Sequence, residues 1–176
     1  MDATATMGTD AREAFEERLQ QHRGIVFKVA GTYTFDPDDR DDLAQEIAVQ
    51  LWRAWPDYDH GRSFSTWMYR IALNVAISHV RGAVRRRRHS VPLDEALHDV
   101  ADGHAVDHEA EQQLRMLQGF VATLPSLDRA LLLLYLEQRS TREMAEVLGI
   151  SESNVTTKIG RLKRRIRDHV APAGQA

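Results

Sequence analysis

The chain of 176 residues is 43% hydrophobic and 28% charged, with a formal net charge of -3, which is typical of a soluble protein of one domain or two small ones. It contains no cysteine, which excludes disulfides, thiolate zinc sites and cysteine nucleophiles. Its apolar runs are far shorter than the roughly 20 residues that span a bilayer, and its N-terminus lacks the pattern of a secretion signal, so we expect a cytoplasmic protein without membrane insertion.

Apolar residues recur at spacings of three and four in the N-terminal part, which predicts helices rather than strands. The first helix would bury Phe15, Leu19, Val26, Ala30 and Tyr33. Asp36 followed by Pro37 is typical of the start of a second helix, which would bury Ala44, Ile47, Ala48, Leu51, Trp52 and Trp55. After a loop at 56–63, a third helix would bury Phe64, Trp67, Met68, Ile71, Ala72, Val75 and Val80.

The composition changes at residues 89–106, which contain Pro92, Gly103 and several acids but no lysine or arginine. Helical spacing resumes with Leu114, Leu117, Val121 and Leu124, and residues 127–135 would form a largely buried helix. We therefore predict an all-α fold of two small helical domains, at 10–88 and 107–172, joined by a flexible acidic linker at 89–106.

The charge alternates along the chain and ends in a basic segment. No acid occurs between residues 61 and 90, whereas residues 91–113 carry seven acids and no lysine or arginine. The basic C-terminal segment follows a pattern of signals for two helices. Ser140 and Glu143 form a capping box, Gly149 suits a left-handed helix stop, and Ser151 can cap the next helix.

That last helix would bury Val155, Ile159, Leu162, Ile166 and Val170 and direct its polar side chains outward. A short helix, a glycine turn and a longer helix with one cationic face together indicate a helix-turn-helix that binds duplex DNA, although a basic helix can also be a solvated surface. Small polar side chains would reach base edges and cations would reach phosphates. The predicted contacts are Ser151, Ser153, Asn154, Thr156, Thr157, Lys158, Arg161, Lys163, Arg164 and Arg165.

Two longer segments resemble a known family. DRDDLAQEIAVQLWRAW (39–55) with FSTWMYRIALNVAISHVR (64–81) resembles region 2 of bacterial sigma factors, and the segment from LPSLDRALLLLYLE to TREMAEVLGISESNVTTKIGRLKRRI is similar to their region 4. Two such regions without space for others resemble the extracytoplasmic-function group. The order and separation of the motifs make the resemblance specific, because the helix-turn-helix alone occurs in many regulators.

The resemblance implies core RNA polymerase and promoter DNA as partners, and an anti-sigma factor is a further candidate. In the family the second helix docks on a coiled coil of the polymerase. The matching residues here are Asp41, Asp42, Gln45, Glu46, Val49, Gln50 and Arg53, most of which lie off the apolar stripe. Asp41 and Asp42 could instead only complement the helix dipole, which is worth about 0.3–1 kcal/mol each.

The resemblance also implies that the loop at 57–63 and the third helix hold the unpaired minus 10 element, while the helix-turn-helix reads the minus 35 duplex. Removing a base from the stacked duplex costs a few kcal/mol, and stacking on aromatic side chains and contacts in a pocket must offset this cost. Predicted minus 10 contacts are Tyr58, His60, Arg62, Phe64, Tyr69, Arg70, Asn74, Arg81, Arg85, Arg86, Arg87 and Arg88. Trp67 lies on the apolar stripe and is expected in the core.

Two positions depart from the family pattern. The family commonly has an arginine just before the asparagine matched by Asn74 and an aspartate four residues after it, where this chain has Leu73 and Ser78. We expect the loss of one phosphate or polymerase contact and of one partner within the domain. The family's promoter preference therefore does not transfer to this chain.

The acidic linker bears on how far apart the two domains can bind. Its roughly 18 residues reach at most about 60 Å when extended, and two turns of duplex cover about 70 Å. When the dimensions of the two domains are added to the length of the linker, the two domains can contact DNA sites that are two helical turns apart. In the family this linker enters the polymerase channel later used by RNA, and the alternative is that its acids only keep it soluble.

Other chemistry finds little support in the sequence. His104 and His108 are four residues apart near Asp107, but no third strong ligand is fixed nearby, so we predict no metal site and no cofactor. No phosphate-binding loop, nucleophile elbow or HExxH motif occurs. We expect a non-enzymatic sigma factor that directs promoter-specific initiation; the alternative is a helix-turn-helix regulator that acts without polymerase.

Overall fold

The computed structural model describes residues 8–89 and 108–170, and its regular structure there is helical. The helices are α1 (Thr9–Tyr33), α2 (Pro37–Ala54), α3 (Phe64–His89), α4 (His108–Thr123), α5 (Ser126–Leu136), α6 (Thr141–Leu148) and α7 (Glu152–Val170). A 3-10 turn at Trp55–Asp57 follows α2. The predicted all-α class is confirmed, and of the predicted linker only His89 is described, as the end of α3. None of the described helices is long and apolar enough to cross a membrane.

Local sequence signals place the helix starts correctly in the N-terminal half (8–89). The Asp36 side chain accepts hydrogen bonds from the backbone N–H groups of Asp38 and Asp39, at 2.9 and 3.1 Å, and Pro37 occupies the first helical position. This arrangement satisfies backbone donors that a helix start otherwise leaves unpaired. The predicted start of α2 is therefore confirmed.

Helices α1, α2 and α3 pack on one another around a buried apolar core. Val29, Leu43, Ile47, Leu51 and Met68 have no exposed surface. The Trp55 indole N–H donates to the carbonyl of Ala11 at 3.1 Å, so a buried polar group is satisfied where α1 begins.

Helices α5, α6 and α7 form the centre of the C-terminal half (108–170), where Leu131, Leu134 and Val155 are fully buried. The predicted helical spacing around Leu114 is confirmed by α4, whereas the predicted burial of Val170 is wrong. Leu114 and Leu117 on α4 are 52% and 57% exposed, because only the last turns of α4 reach the core. Val170 is 72% exposed, because the last turn of α7 places His169 rather than Val170 against Phe120, with ring centroids 4.5 Å apart.

The two halves pack against each other. Helices α5 and α6 contact α1 and α3, and the buried side chains of both halves form one continuous cluster. The Tyr33 hydroxyl crosses the junction and donates to the carbonyl of Ser126 at 2.6 Å. Burial raises the pKa of this phenol well above its usual range, so Tyr33 is a neutral donor.

Candidate polymerase and nucleic-acid interfaces

The helix-turn-helix predicted from the sequence is confirmed in its local geometry. Ser140 Oγ accepts from the backbone N–H of Glu143 at 3.2 Å, and Glu143 Oε2 accepts from the backbone N–H of Ser140 at 2.8 Å. Gly149 ends α6 with a φ of 66°, and Ser151 Oγ accepts from the backbone N–H of Asn154 at 3.1 Å. These caps fix α7 relative to α6 without needing a large core.

Helix α7 presents its polar start to solvent. Val155 and Leu162 are buried, whereas Ser153, Asn154, Thr156 and Thr157 are exposed. The two threonine hydroxyls donate to backbone carbonyls of their own helix, four residues earlier, at 3.0 Å. The side chains of Ser153 and Asn154 make no such hydrogen bond within the described residues. Their polar groups are therefore free to hydrogen-bond to a base edge.

The cations of α7 are not equivalent. Arg161 is exposed and has no ion pair within residues 8–89 and 108–170. Arg165 lies 3.7 Å from Asp128 on α5, and the Lys163 ammonium lies 4.8 Å from the ring centroid of Tyr135. Some of the positive charge seen in the sequence is therefore already partnered within the protein.

The loop between α2 and α3 rests on a cluster of aromatic rings. Tyr58 stacks on Trp55 at 5.3 Å between centroids, its hydroxyl donates to the carbonyl of Arg62 at 2.6 Å, and Phe64 packs beside both rings. Tyr58 and Phe64 are only 5% and 6% exposed, so in this arrangement they support the loop and do not face solvent. His60 is exposed on the edge of the same cluster.

Two further side chains belong to this aromatic cluster, of which sequence reasoning missed Arg18. Trp67, expected in the core, packs against it but is only partly buried, and it lies 4.9 Å from Tyr58 by ring centroid, so it can offer a face for stacking. The Arg18 guanidinium lies 5.8 and 5.7 Å from the Tyr58 and Phe64 ring centroids. No sequence signal indicates the position of Arg18, since about forty residues separate it from the rings it contacts.

The exposed face of α3 carries much of the predicted minus 10 set. Arg70, Asn74, Arg81, Arg85 and Arg86 are exposed. Arg87 and Arg88 belong to the last turn of α3, and their side chains lie outside the described residues. The face is thus basic along its length, as a surface for a phosphate backbone requires.

Two residues of α3 lie in the interior. Tyr69 has no exposed surface and contacts Glu137 and Arg139 of the C-terminal half. Leu73 is 1% exposed, so its position in this chain is part of the core. The leucine at this departure from the family pattern therefore fits a buried site that would not accommodate an unpaired arginine.

Helix α2 presents most of the predicted polymerase contacts to solvent. Asp41, Asp42, Gln45, Glu46 and Arg53 are exposed, as is Val49 at 44%, while Gln50 is partly buried and donates to Glu46 at 2.9 Å. A groove of about 620 Å³ between α2 and α3 is lined by Asp42, Glu46, Gln50, Asn74, Val75, Ser78 and His79. The structure thus places Asn74, predicted to contact DNA, beside residues predicted to contact polymerase.

A second groove runs between α1 and α2. It has a volume of about 440 Å³, and its apolar residues include Leu19, Val26, Ala44 and Ala48, with Phe27 55% exposed at its margin. Sequence analysis missed Phe27 because it lies off the buried stripe of α1. Asp41 and Gln45 line the same groove, so the surface around α2 extends onto α1.

Two family profiles match the chain, Sigma-70 region 2 at residues 19–86 and Sigma-70 region 4 at residues 114–166. The chain is 31% identical to the RNA polymerase sigma factor CnrH of Cupriavidus metallidurans, with 88% of this chain and 85% of CnrH covered. The chain belongs to the extracytoplasmic-function RNA polymerase sigma factors.

Other relatives agree with this assignment. This sigma factor is 26% identical to the ECF sigma factor SigW of Bacillus subtilis, over 89% of this chain and 91% of SigW. It is 28% identical to the ECF sigma factor SigE of Mycolicibacterium smegmatis over 95% of this chain, and it spans 65% of the length of SigE.

Two solved structures share the fold. One is CnrH in complex with the cytosolic domain of CnrY, with a TM-score of 0.68, 22% identity, and coverage of 93% of this chain and 91% of that one. The other is the sigma factor RpoE in complex with the anti-sigma factor NepR from Bartonella quintana, with a TM-score of 0.71, 17% identity, and coverage of 92% and 99%.

Proposed function

We propose that this sigma factor binds core RNA polymerase and directs it to promoters by recognising a minus 35 duplex and a melted minus 10 element. The observation that carries the proposal is a capped helix-turn-helix with an outward polar and cationic helix, α7, in the same chain as a region 2 domain. The polymerase performs the nucleotide chemistry in the cytoplasm, and the chain supplies the promoter contacts.

The polymerase contact is assigned to α2. Its exposed side chains are acidic or amide-bearing, apart from Pro37, Val49 and Arg53, and several of them line two grooves. An apolar groove beside fixed charges suits a helix of the partner, because side chains at helical spacing enter the groove while charges set its orientation.

The minus 35 contact is assigned to α7, with Ser153 and Asn154 at base edges and Arg161 and Arg164 on phosphates. The minus 10 contact is assigned to the loop at 57–63 and the exposed face of α3. His60 and Asn74 are its exposed base-contact candidates, and Arg70 and Arg81 are its phosphate contacts.

An anti-sigma factor is a further proposed partner. The structural neighbours CnrH and RpoE are each seen with a partner protein, the CnrY cytosolic domain and NepR. The exposed apolar side chains Phe27 and Val49 give this sigma factor an apolar surface that such a partner could cover.

Transcription in vitro tests the proposal. Purified chain, core polymerase and genomic promoter fragments should give specific initiation only when both proteins are present. Glu46→Lys should weaken core binding, whereas Glu13→Lys, the same charge reversal at an exposed position of α1, should not. Specific binding of the chain alone to an operator, with no initiation on addition of core, would favour the independent regulator.

A further inference from the structure

Helix α7 has a glycine in its interior that the protein itself does not require. Gly160 is exposed, and a Cβ added to it would meet nothing within 4 Å beyond its own helix backbone and its chain neighbours. Within residues 8–89 and 108–170 Gly149 is the one glycine with a positive φ, so backbone conformation does not require glycine at 160 either. Glycine is disfavoured in a helix interior more than any residue except proline. Close approach of a binding partner is a physical reason for glycine at such a position.

The missing side chain leaves a space on the outward face of α7, which we call the Gly160 gap. Residues three and four positions apart are neighbours on a helix surface. Thr156 and Thr157 therefore border the gap on its N-terminal side, and Lys163 and Arg164 border it on its C-terminal side. All four are exposed and belong to the set predicted to contact the minus 35 duplex. The gap is thus surrounded by residues assigned to DNA.

The surroundings of the Gly160 gap are positively charged. Neither Lys163 nor Arg164 makes an ion pair within the described residues. The Lys163 ammonium lies 4.8 Å from the Tyr135 ring centroid, and Arg164 Nε donates to the carbonyl of Gly160 at 3.5 Å. The adjoining groove of about 480 Å³ between α7, α5 and α6 has no carboxylate among the described residues that line it. The gap therefore fits an anionic occupant, to which both cations can donate.

The position of the gap along α7 favours the DNA backbone over a base as this occupant. In a helix-turn-helix the N-terminal residues of the second helix contact base edges, and Ser153 and Asn154 lie there. Gly160 lies two helical turns beyond Ser153, about 10 Å further along the axis. The threonine hydroxyls beside the gap already donate to carbonyls of their own helix. The gap therefore presents cations for a phosphate and no free hydroxyl donor for a base.

Contact with a phosphate strand is sensitive to any side chain at this position. Hydrogen bonds from lysine or arginine to phosphate are about 2.7–2.9 Å long. A methyl group at position 160 would hold the strand away from the helix backbone. The bonds from Lys163 and Arg164 to the phosphates on either side would then lengthen and weaken.

We propose that Gly160 is a close-approach position, where the sugar–phosphate backbone of one DNA strand packs directly on α7 between the phosphates that Lys163 and Arg164 bind. The inference rests on the proposed function and deepens it, because it identifies a backbone contact that holds α7 on the minus 35 duplex. Helix stability and DNA affinity then have opposite requirements at position 160, since a side chain there favours the helix and opposes the contact.

Substitution of Gly160 tests the proposal in the free full-length chain. Gly160→Ala should lower the affinity for duplex DNA about fivefold, as expected when one methyl group overpacks a close contact. Gly160→Leu should lower it further and flatten the slope of log affinity against log salt by about 0.9–1.8, because one or both phosphates lose their cation. Fluorescence anisotropy with labelled duplexes at several salt concentrations measures both quantities. Wild-type affinity in Gly160→Ala, or a wild-type slope in Gly160→Leu, would overturn the proposal.

Two duplexes separate the DNA backbone from a base as the occupant. One contains only A·T pairs, which place thymine methyl groups in the major groove, and the other contains only G·C pairs, which place none there. Contact with the backbone predicts the same fold-loss for Gly160→Ala on both duplexes, since phosphates carry no sequence information. A loss confined to one duplex would assign the gap to a base and would equally overturn the proposal.

Gly119→Ala is the matched control. Gly119 on α4 is also exposed, and a Cβ there would meet nothing within 4 Å, but it is not among the predicted DNA contacts. Both alanine variants should raise Tm by about 2–4 °C in calorimetry, because alanine is the better helix former. Only Gly160→Ala should lose DNA affinity, so the loss is not a consequence of misfolding. A lower Tm in Gly160→Ala, or an equal loss of affinity in Gly119→Ala, would contradict the proposal.

The initiation assay tests the proposed function separately. If the duplex measurements follow the pattern above but wild-type chain and core give no specific initiation, the proposed function fails and the close contact stands. If initiation occurs but Gly160→Ala binds both duplexes as the wild type does, the close contact fails and the function stands. Absence of binding by the wild-type chain to either duplex would also overturn the close contact, and the initiation assay would still decide the function.

Discussion

The pairing of Arg165 with Asp128 makes one cation of α7 different from the others. The two side chains lie 3.7 Å apart and are 45% and 24% exposed, with Asp128 in the first turn of α5. Arg161 on the same helix has no such partner within the described residues. We therefore predict that removing the Asp128 carboxylate increases the effective positive charge of the DNA-binding face of α7.

The salt dependence of DNA binding gives the size of the effect. Each neutralised phosphate contributes about 0.9 to the slope of log affinity against log salt. Asp128→Asn should therefore steepen the slope by up to about 0.9, which changes affinity about 3.5-fold between roughly 50 and 200 mM salt. Arg161→Ala should flatten the slope by about 0.9, and Arg165→Ala by less, because Asp128 already neutralises part of its charge.

Fluorescence anisotropy with a labelled DNA duplex, titrated at several salt concentrations, measures these slopes. Glu111→Gln is the matched control, since it removes an exposed acid that is paired with Arg115, at 3.9 Å, within α4. Steepening in Asp128→Asn but not in Glu111→Gln would support the argument. Equal slopes for wild type and Asp128→Asn would refute it, and equal losses in the two arginine variants would show that the ion pair does not persist on DNA.

Further predictions concern stability and the α3 arginines. Ser140→Ala removes a helix cap and should cost about 1 kcal/mol of unfolding free energy, or about 2–4 °C in Tm by calorimetry. The hydrogen bond from the Ser140 backbone N–H lowers the pKa of Glu143 below its ordinary 4.5. Its contribution to stability is therefore fully present above pH 4.5 and is lost as the pH falls through the lowered pKa. In Glu143→Gln, the free energy of unfolding from urea titrations should depend less on pH over that range. Leu162→Ala should cost about 2–5 kcal/mol by chemical denaturation, whereas the exposed Val170→Ala should change stability by less than about 0.5 kcal/mol. Replacing the arginines at 85–88 by alanine should weaken promoter complexes of all sequences and flatten their salt dependence in filter binding, and an unchanged slope would remove them from the DNA interface.

Much of the site could be predicted because its signals are local. The cap at Asp36, the box of Ser140 with Glu143, and the glycine stop at Gly149 each depend on residues at most four positions apart. The helices followed from spacings of three and four, and the polar face of α7 followed from the same periodicity. The order of the two motifs, matched by the two family profiles, then indicated the family.

Tertiary packing decided what periodicity could not. Spacing marks a residue as apolar or polar, but it does not show which half of the molecule covers it. Tyr69 was predicted to face DNA and is buried against Glu137, which lies 68 positions away in the chain. The pairing of Lys28 with Glu137 spans 109 positions and likewise has no local signal.

By itself, the sequence determined the helices, their caps and the two regions of a sigma factor, because these depend on hydrogen bonds and side-chain periodicity within a few residues. Only the tertiary structure decided which cations are already paired, which aromatic rings are accessible, and that the two halves meet through Glu137 and Arg139. The physical reason is that burial and ion pairing are set by contacts between distant segments.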